Sequence, residues 1–425
     1  MSRYRPRIVD NQLERMLRRI GAVLVQGPKW CGKTTTAEQK AASIIYLDDP
    51  SKQKLFQQTA ELNIKALLQG DTPRLMDEWQ LVPQLWDAVR FEVDHRKAEG
   101  QFILTGSAVP PDSDEIHHTG TGRFARLTMR TMSLQESGDS TGSVSLQSLF
   151  EKNVEQPIGV SNIDIDRLAF LICRGGWPNS VGKKEEDALD LAYDYYNAVV
   201  ESDISRVDGV RRNAEMARRL TRSLARHQGA QVSLENIRKD MSLNDEHMLG
   251  ESSFAQYMSA LKSIFVVDDM AAWNPNLRSK TAIRTSDTRY FNDPSIATSA
   301  LGVSPADLTR DLNTMGLLFE TLAVRDLRVY ADALNGKVYH FRDKSGLECD
   351  AVIHLRNGNY GLVEIKLGGN MLIEDGAKTL KTLAEKIDTS HMNEPSFMMV
   401  LTGIGDYPFR RKDGVYVIPI GCLGV

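Results

Sequence analysis

Gly27-Pro28-Lys29-Trp30-Cys31-Gly32-Lys33-Thr34 decides how the N-terminal part of the chain is read. It stands between the apolar run Ala22-Val23-Leu24-Val25 and a helix-forming stretch from Lys33 to about Ala42. Every position fits the pattern GxxxxGK[ST], which arises by chance in a chain of this length with odds of roughly one in a hundred. Glycines let backbone N–H groups wrap an anion, and the start of a helix adds positive potential. In this pattern Lys33 would reach the β- and γ-phosphates of a nucleotide, and the Thr34 hydroxyl would bind Mg²⁺. The nucleotide-binding set is therefore Gly27, Pro28, Lys29, Trp30, Cys31, Gly32, Lys33, Thr34 and Thr35.

Outward from this loop, Ser43-Ile44-Ile45-Tyr46-Leu47, Leu75-Met76 and Phe102-Ile103-Leu104 read as further buried strands separated by helical stretches. Alternating strands and helices predict a mainly parallel sheet covered on both faces. Asp77-Glu78 ends the Leu75-Met76 strand: Asp77 would hold Mg²⁺ through water, and Glu78 would polarise the attacking water. Ser107, in Thr105-Gly106-Ser107, stands where a γ-phosphate sensor would sit, although a plain strand-end turn reads the same way. Arg123 would stabilise transition-state charge in cis or in trans, or be a solvated arginine.

Composition sets limits. At 425 residues the chain has room for several domains, and a net charge of −4 from 52 basic and 56 acidic residues confines any nucleic-acid surface to a local patch. Cys31, Cys173, Cys349 and Cys422 are widely spaced, which argues against a disulfide framework or a zinc site and for a reducing cytoplasm. The basic N-terminus lacks the apolar core of a signal peptide, and no apolar run is long enough to predict a transmembrane helix.

Ser137 to Asn162 is rich in Ser and Gly and reads as a loop or linker. Glu185 to Ile204 suits an amphipathic helix, with Tyr193, Tyr195 and Tyr196 as helix packing. Three helical patterns between about Ala214 and Ile264, then the strand-like runs Ile264–Val267 and Thr281–Phe291, are consistent with a winged helix-turn-helix. Arg206, Arg211, Arg212, Arg218, Arg219, Arg222 and Arg226 form a basic run that either meets DNA phosphates or pairs with acidic neighbours. His117-His118 lacks ligand spacing and reads as loop.

From about Leu308 the order becomes helix, three strands, helix, strand and one extra strand. Strand side chains alternate, so Glu364 and Lys366 share one face of the run YGLVEIKL, and Asp350 lies on the strand before it. An acid followed by Glu-x-Lys on the next strand is how restriction-endonuclease-like nucleases build a metal site. Asp350 and Glu364 would bind Mg²⁺, Glu320 would add a carboxylate from the preceding helix, and Lys366 would orient water or neutralise phosphate charge. Glu-x-Lys is also a common exposed-strand pair, and an Asp on a half-buried strand often only caps or salt-bridges.

The ordered series GPKWCGKT, LMDEWQ, FILTGSA, GRFARLTMRTMSLQE, RGGWP, YMSALKSIFVVDDM, RYFND, GLLFETLAVRDL, FRDKSGLECDAVI and VEIK resembles the prokaryotic AAA+-type ATPases fused to a C-terminal domain of uncharacterised function. The resemblance spans nearly the whole chain. It departs at KTAIRTSDT, where a Pro-Lys pair is usual, and at Cys349 and Ala351, where bulkier apolar residues are usual. The expectation is an α/β multidomain protein. A P-loop ATPase sheet would fill residues 1–136, a linker and helical lid 137–213, a winged-helix-like module 214–292 and a restriction-endonuclease-like αβββαβ domain 293–425. The expected function is ATP binding and hydrolysis with Mg²⁺, coupled to DNA binding or cleavage. The alternative is an ATP-dependent assembly switch that does not cut. The resemblance also makes a homo-oligomeric ring plausible.

Overall fold

The run Ala22–Val25 is apolar at every position because the strand it forms is covered on both faces. In the computed structural model, which describes residues 4–107, 120–152, 154–241, 249–275, 286–390 and 392–425, it is one of five parallel strands: β1 (Ala22–Gln26), β2 (Ser43–Tyr46), β3 (Arg74–Asp77), β4 (Phe102–Gly106) and β5 (Phe124–Thr128) lie in the order β2-β3-β4-β1-β5. The chain divides into two units. One is Met1–Thr131 with Asp203–Arg211 and Ser259–Phe265, and the other holds the remainder.

Two sequence features resolve in the first unit. β3 begins at Arg74, whose guanidinium donates to Leu67 O at 2.9 Å and Ser43 Oγ at 3.0 Å. β5 has no counterpart among the four strands read from the sequence. It is an edge strand with only Leu127 fully buried, so one apolar position and a neighbour sufficed. Trp86 stacks on Phe124 at 4.0 Å between ring centroids and packs against Trp79 at 5.1 Å, which fills one face of the sheet.

The second unit contains β6 (Val144–Ser145), β7 (Val267–Met270), β8 (Thr288–Phe291), β9 (Gly336–Arg342), β10 (Glu348–Leu355), β11 (Tyr360–Lys366), β12 (Phe397–Thr402), β13 (Phe409–Arg410), β14 (Tyr416–Pro419) and β15 (Leu423–Gly424). Its six-stranded sheet runs β13-β14-β12-β11-β10-β9. β9, β10 and β11 form an antiparallel meander, the helix Asn370–Lys386 links β11 to β12, and β11, β12 and β14 are parallel. The helix–three strands–helix–strand order read from the sequence is present, preceded by the helix Leu312–Ala333. The helices Ala214–Arg226, Leu234–Asp240 and Glu251–Ser263 are followed by the antiparallel pair β7–β8. Part of the Thr281–Phe291 run and the His117-His118 pair lie outside the described residues.

The Ser/Gly-rich stretch 137–162 is a correction. It holds the helix Leu146–Phe150, capped by Ser145, and β6, which pairs in parallel with the C-terminal β15. Ser140 Oγ donates to Leu423 O at 2.7 Å and Thr141 N to Gly421 O at 2.8 Å. Small residues here permit close approach: a Cβ on Gly421 would stand 2.4 Å from Ser161 Oγ, and one on Gly159 would meet Ser143 Oγ. Composition pointed to a linker, whereas packing uses it as a clasp.

Buried charges order this unit. Arg325 has a side chain 1% exposed between Asp293 at 3.2 Å and Asp326 at 2.7 Å. Asp293 accepts from Gly176 N and from Ser295, and Asp326 from Leu134 N. The segments RGGWP, RYFND and GLLFETLAVRDL therefore meet at one ion cluster. Arg174 and Arg167 close a second one on Asp139, at 2.8 and 2.7 Å. Burial alone would raise the Asp139 carboxyl, but the two arginines and Ser137 more than offset it and hold it below the usual range.

Replacing Arg325 by Met is expected to strand two buried carboxylates and to destabilise this unit by about 3–5 kcal/mol. A clearly lower urea midpoint checks it, and an unchanged one would remove the cluster from its structural role. Because the Asp139 pKa is lowered by folding, its contribution is complete above the ordinary aspartate range and is lost as pH falls through the folded value. Asp139→Asn should therefore flatten the acid side of the stability–pH curve and leave its slope near neutrality alone.

Candidate functional site

In the first unit the phosphate loop sits at the C-terminal end of β1, with the ends of β3 and β4 on the same edge of the parallel sheet. Gly27 has φ +153°, and a Cβ there would stand 2.0 Å from Met129 O. Gly32, at φ +97°, immediately precedes the helix Lys33–Glu38. Lys33 is buried, and its Nζ donates to Pro28 O at 2.8 Å, so the ammonium folds back along the loop. Arg7 braces the loop from outside, donating to Cys31 O at 2.8 Å and Arg130 O at 2.9 Å. Thr35 and Trp30 are exposed.

Asp77 and Glu78 occupy the end of β3. Thr34 Oγ1 donates to Asp77 Oδ1 at 2.7 Å, and Thr105 donates to the same oxygen. Glu78 adopts a left-handed backbone, φ +53°, and its Oε2 accepts from Ser107 Oγ at 3.3 Å and from the Gln80 amide. Burial raises both carboxyls. The hydroxyls of Thr105 and Thr34 partly offset this at Asp77, and the Lys33 charge does so at Glu78. The Thr34 hydroxyl and Asp77 carboxylate in contact form a hard-oxygen pair that suits Mg²⁺. Lys33, Thr34, Asp77, Glu78 and Ser107 thus lie together at this edge of the sheet.

Arg123 does not join them. Its backbone oxygen accepts from Ala22 N at the start of β1, and its Nε donates to Asp94 at 2.8 Å. β1 separates it from the loop by roughly 15 Å at about 3.3 Å per residue. Lys29 also differs: its Nζ lies 2.6 Å from Asp203 Oδ1, just after the π-helical turn Val199–Asp203 begins to end. No sequence signal pointed to Asp203, Gln80 or Arg7. Arg7 lay in a stretch read only as a basic terminus.

In the second unit Asp350, Glu364 and Lys366 come together. Lys366 Nζ stands 3.1 Å from Asp350 Oδ2 and 2.6 Å from Glu364 Oε2, and Ile365 N donates to Asp350 Oδ2 at 2.7 Å. The β9–β10 register shifts between Cys349 and Val352, so a bulge coincides with Asp350. Glu320 accepts from Tyr290 OH at 2.6 Å and shares with Asp350 a cleft of about 280 Å³. Burial, then the Asp350 charge, pushes Glu320 and Glu364 each up to about 8; burial would lower Lys366, but Asp350 and Glu364 more than offset it and hold the lysine protonated. Asp350 and Glu364 offer hard oxygens of the kind Mg²⁺ or Mn²⁺ takes. Among the described residues, however, no three His, Cys, Asp or Glu side chains form a preassembled metal cluster.

Three arginines of the basic run pair within the protein. Arg218 meets Asn197 and Glu201, Arg219 meets Glu215, and Arg226 meets Asp240. Tyr195 and Tyr196 are buried as helix packing, and Tyr193 is exposed. The four cysteines are free and buried, and among the described residues no helix is long and apolar enough to cross a membrane.

Residues 20–138 match the family model described as an AAA domain. That match supports a P-loop ATPase. Residues 165–307 match a domain of unknown function (DUF8612), and residues 315–423 another (DUF4143). The uncharacterized proteins Rv2008c of Mycobacterium tuberculosis and Mb2031c of Mycobacterium bovis are each 24% identical over 358 residues, covering 84% of this chain and 72% of theirs. Among solved structures, the Walker-type ATPase paby2304 of Pyrococcus abyssi is 12% identical, with a TM-score of 0.40 over 68% of this chain and 94% of that one. A structure of Drosophila ORC bound to DNA is 13% identical, with a TM-score of 0.19 over 69% and 85%.

To engage a bound phosphate, Lys29 would have to leave Asp203. Asp203→Asn is expected to tighten ATP binding by about two- to five-fold, the scale of a partly exposed ion pair. Calorimetric titration tests this, and unchanged affinity would mean that Lys29 does not exchange partners.

Proposed function

We propose that this chain is an ATPase whose nucleotide state is coupled to DNA binding or metal-dependent DNA cleavage by its C-terminal part. The observation that carries the cleavage half is the meeting of Asp350, Glu364 and Lys366, with Glu320 beside Asp350 in the same cleft. At the nucleotide, Lys33 binds the β- and γ-phosphates, Thr34 and Asp77 hold Mg²⁺, Glu78 polarises water and Ser107 senses the γ-phosphate. Bound Mg²⁺ would neutralise phosphate charge at both sites. Gln80 and Ser107 restrain Glu78 until substrate engages it. Arg123, remote from its own loop and exposed, would serve the site of a neighbouring copy in a homo-oligomer. The β7–β8 pair and the helices before it would act as a winged-helix-like DNA contact, and the αβββαβ part as a restriction-endonuclease-like fold. Four free cysteines suit a reducing cytoplasm.

One observation favours a second reading. Lys366 already pairs with both Asp350 and Glu364, which would neutralise the carboxylates in a domain that binds a partner without cutting it.

Lys33→Ala is expected to abolish tight ATP binding, and Glu78→Gln to bind ATP but hydrolyse it about a hundred-fold or more slowly. Wild-type turnover in the second variant would remove Glu78 from its role. Plasmid and oligonucleotide cleavage in Mg²⁺ or Mn²⁺, with and without ATP, should be lost in Asp350→Ala. Absence of cleavage by the wild type, with ATPase activity intact, selects the binding-switch reading.

A further inference from the structure

The cleft that holds Glu320 and Asp350 has a second wall with different chemistry. It is built by the turn Gln228–Gln231, which follows the helix Ala214–Arg226, and by His340 on β9. The turn is pressed against the acid: Gly229 has φ +68°, and a Cβ there would stand 2.5 Å from Glu320 Oε1. Gln228 is fully engaged by Phe291 N, Thr321 and Leu224 O, so it fixes the turn. Gln231 is the residue left to face the cleft from this turn, and its Nε2 meets His340 Nδ1 at 3.0 Å.

That contact sets the histidine tautomer. With the Gln231 amide nitrogen turned toward the ring, its N–H donates, Nδ1 accepts, and the neutral ring carries its proton on Nε2. His340 is 5% exposed, and burial pulls its pKa down, which keeps the ring neutral. The Ser286 backbone slightly favours the charged form, but Nε2 has no hydrogen-bond partner among the described residues. A buried neutral donor next to an amide, in a cleft lined by the carboxylates of Glu320, Glu348 and Asp350, is unsuited to an anion. The nearby cations are also committed, Arg342 to Glu348 at 3.0 Å and Lys366 to its two acids. A neutral, flat group with a carbonyl acceptor fits this wall.

We infer that the Gln231–His340 wall receives one nucleobase of an unpaired strand, with a base carbonyl on His340 Nε2 and the strand's backbone at Asp350 and Glu320. This rests on the nucleic-acid reading of the same cleft. At about 280 Å³ the cleft has room on the scale of one nucleotide and none for a duplex, so the base must come from a single strand or be extruded.

Binding of short fluorescent single strands to the full chain, in Ca²⁺ to hold the carboxylates without turnover, tests it. Strands of dT, dC and dA are compared with an abasic strand of equal length. The wild type should prefer a carbonyl-bearing base over the abasic strand by about ten-fold. His340→Ala and Gln231→Ala should each remove that preference while leaving abasic affinity unchanged, and Gln231→Ala, at a half-exposed position, keeps the test valid if the buried histidine variant misfolds. Wild-type preference retained in the variants, or no preference in the wild type, overturns the base pocket alone. No binding of any strand overturns the nucleic-acid reading with it.

Discussion

Arg325 is the residue on which the second unit turns. A guanidinium with almost no exposure is tolerable only when its charge is met, and here two aspartates do so. Those aspartates are themselves held by backbone N–H groups from Gly176 and Leu134. Gly176 must be glycine, because a Cβ would stand 2.2 Å from Met132 O and 2.9 Å from Arg325 Nη1. The cluster ties Asp293, in the segment matched at 165–307, to the helix that opens the segment matched at 315–423. The two matched segments therefore share one set of buried charges. Five residues before Arg325 on the same helix, Glu320 faces the cleft, so the ion cluster also fixes where that carboxylate stands.

The acids of this chain separate by environment. Asp139, Asp240 and Asp413 are buried to differing degrees, yet arginine or serine partners bring each below the usual range. Asp77, Glu78, Glu320 and Glu364 shift upward, because burial outweighs the positive charge supplied nearby. Raised acids beside a cleft or phosphate loop mark functional candidates. Asp326 shows the limit of that rule: burial raises it as well, although it is bonded to Arg325 and serves packing. Direction of shift gains meaning only with a place for a ligand beside it.

Much of this was legible in the sequence, and the failures have physical causes. The phosphate loop and the Asp77-Glu78 pair were readable because their chemistry dictates residue types at fixed short spacing. The strands around Asp350 and Glu364 were readable because strand alternation fixes faces. β5 was missed because an edge strand needs little apolar pattern. The 137–162 stretch was misread because Ser and Gly mark both loops and close backbone approach. Asp203, Gln80 and Arg7 were invisible for another reason: Asp203 lies 174 residues from its partner Lys29, and long-range pairing leaves no local period. Sequence left Arg123 open between a role in cis, a role in trans and a solvated arginine, because only the parallel register shows that it lies at the far end of β1 from the loop.

Lys366 is the point at which the C-terminal chemistry is decided. An ammonium held by two carboxylates costs little to keep charged, and it lowers the local demand for a divalent cation. Yet three acids, Glu320, Asp350 and Glu364, share this region with that single lysine, and two of them remain raised in its presence. One positive charge therefore does not balance the group. A phosphodiester alone would worsen the imbalance, since it brings another negative charge to the same place. A cation entering with the strand would relieve it, drawing both raised carboxyls into their charged forms. On the proposed nucleic-acid reading, the electrostatics thus disfavour a strand that arrives without a cation.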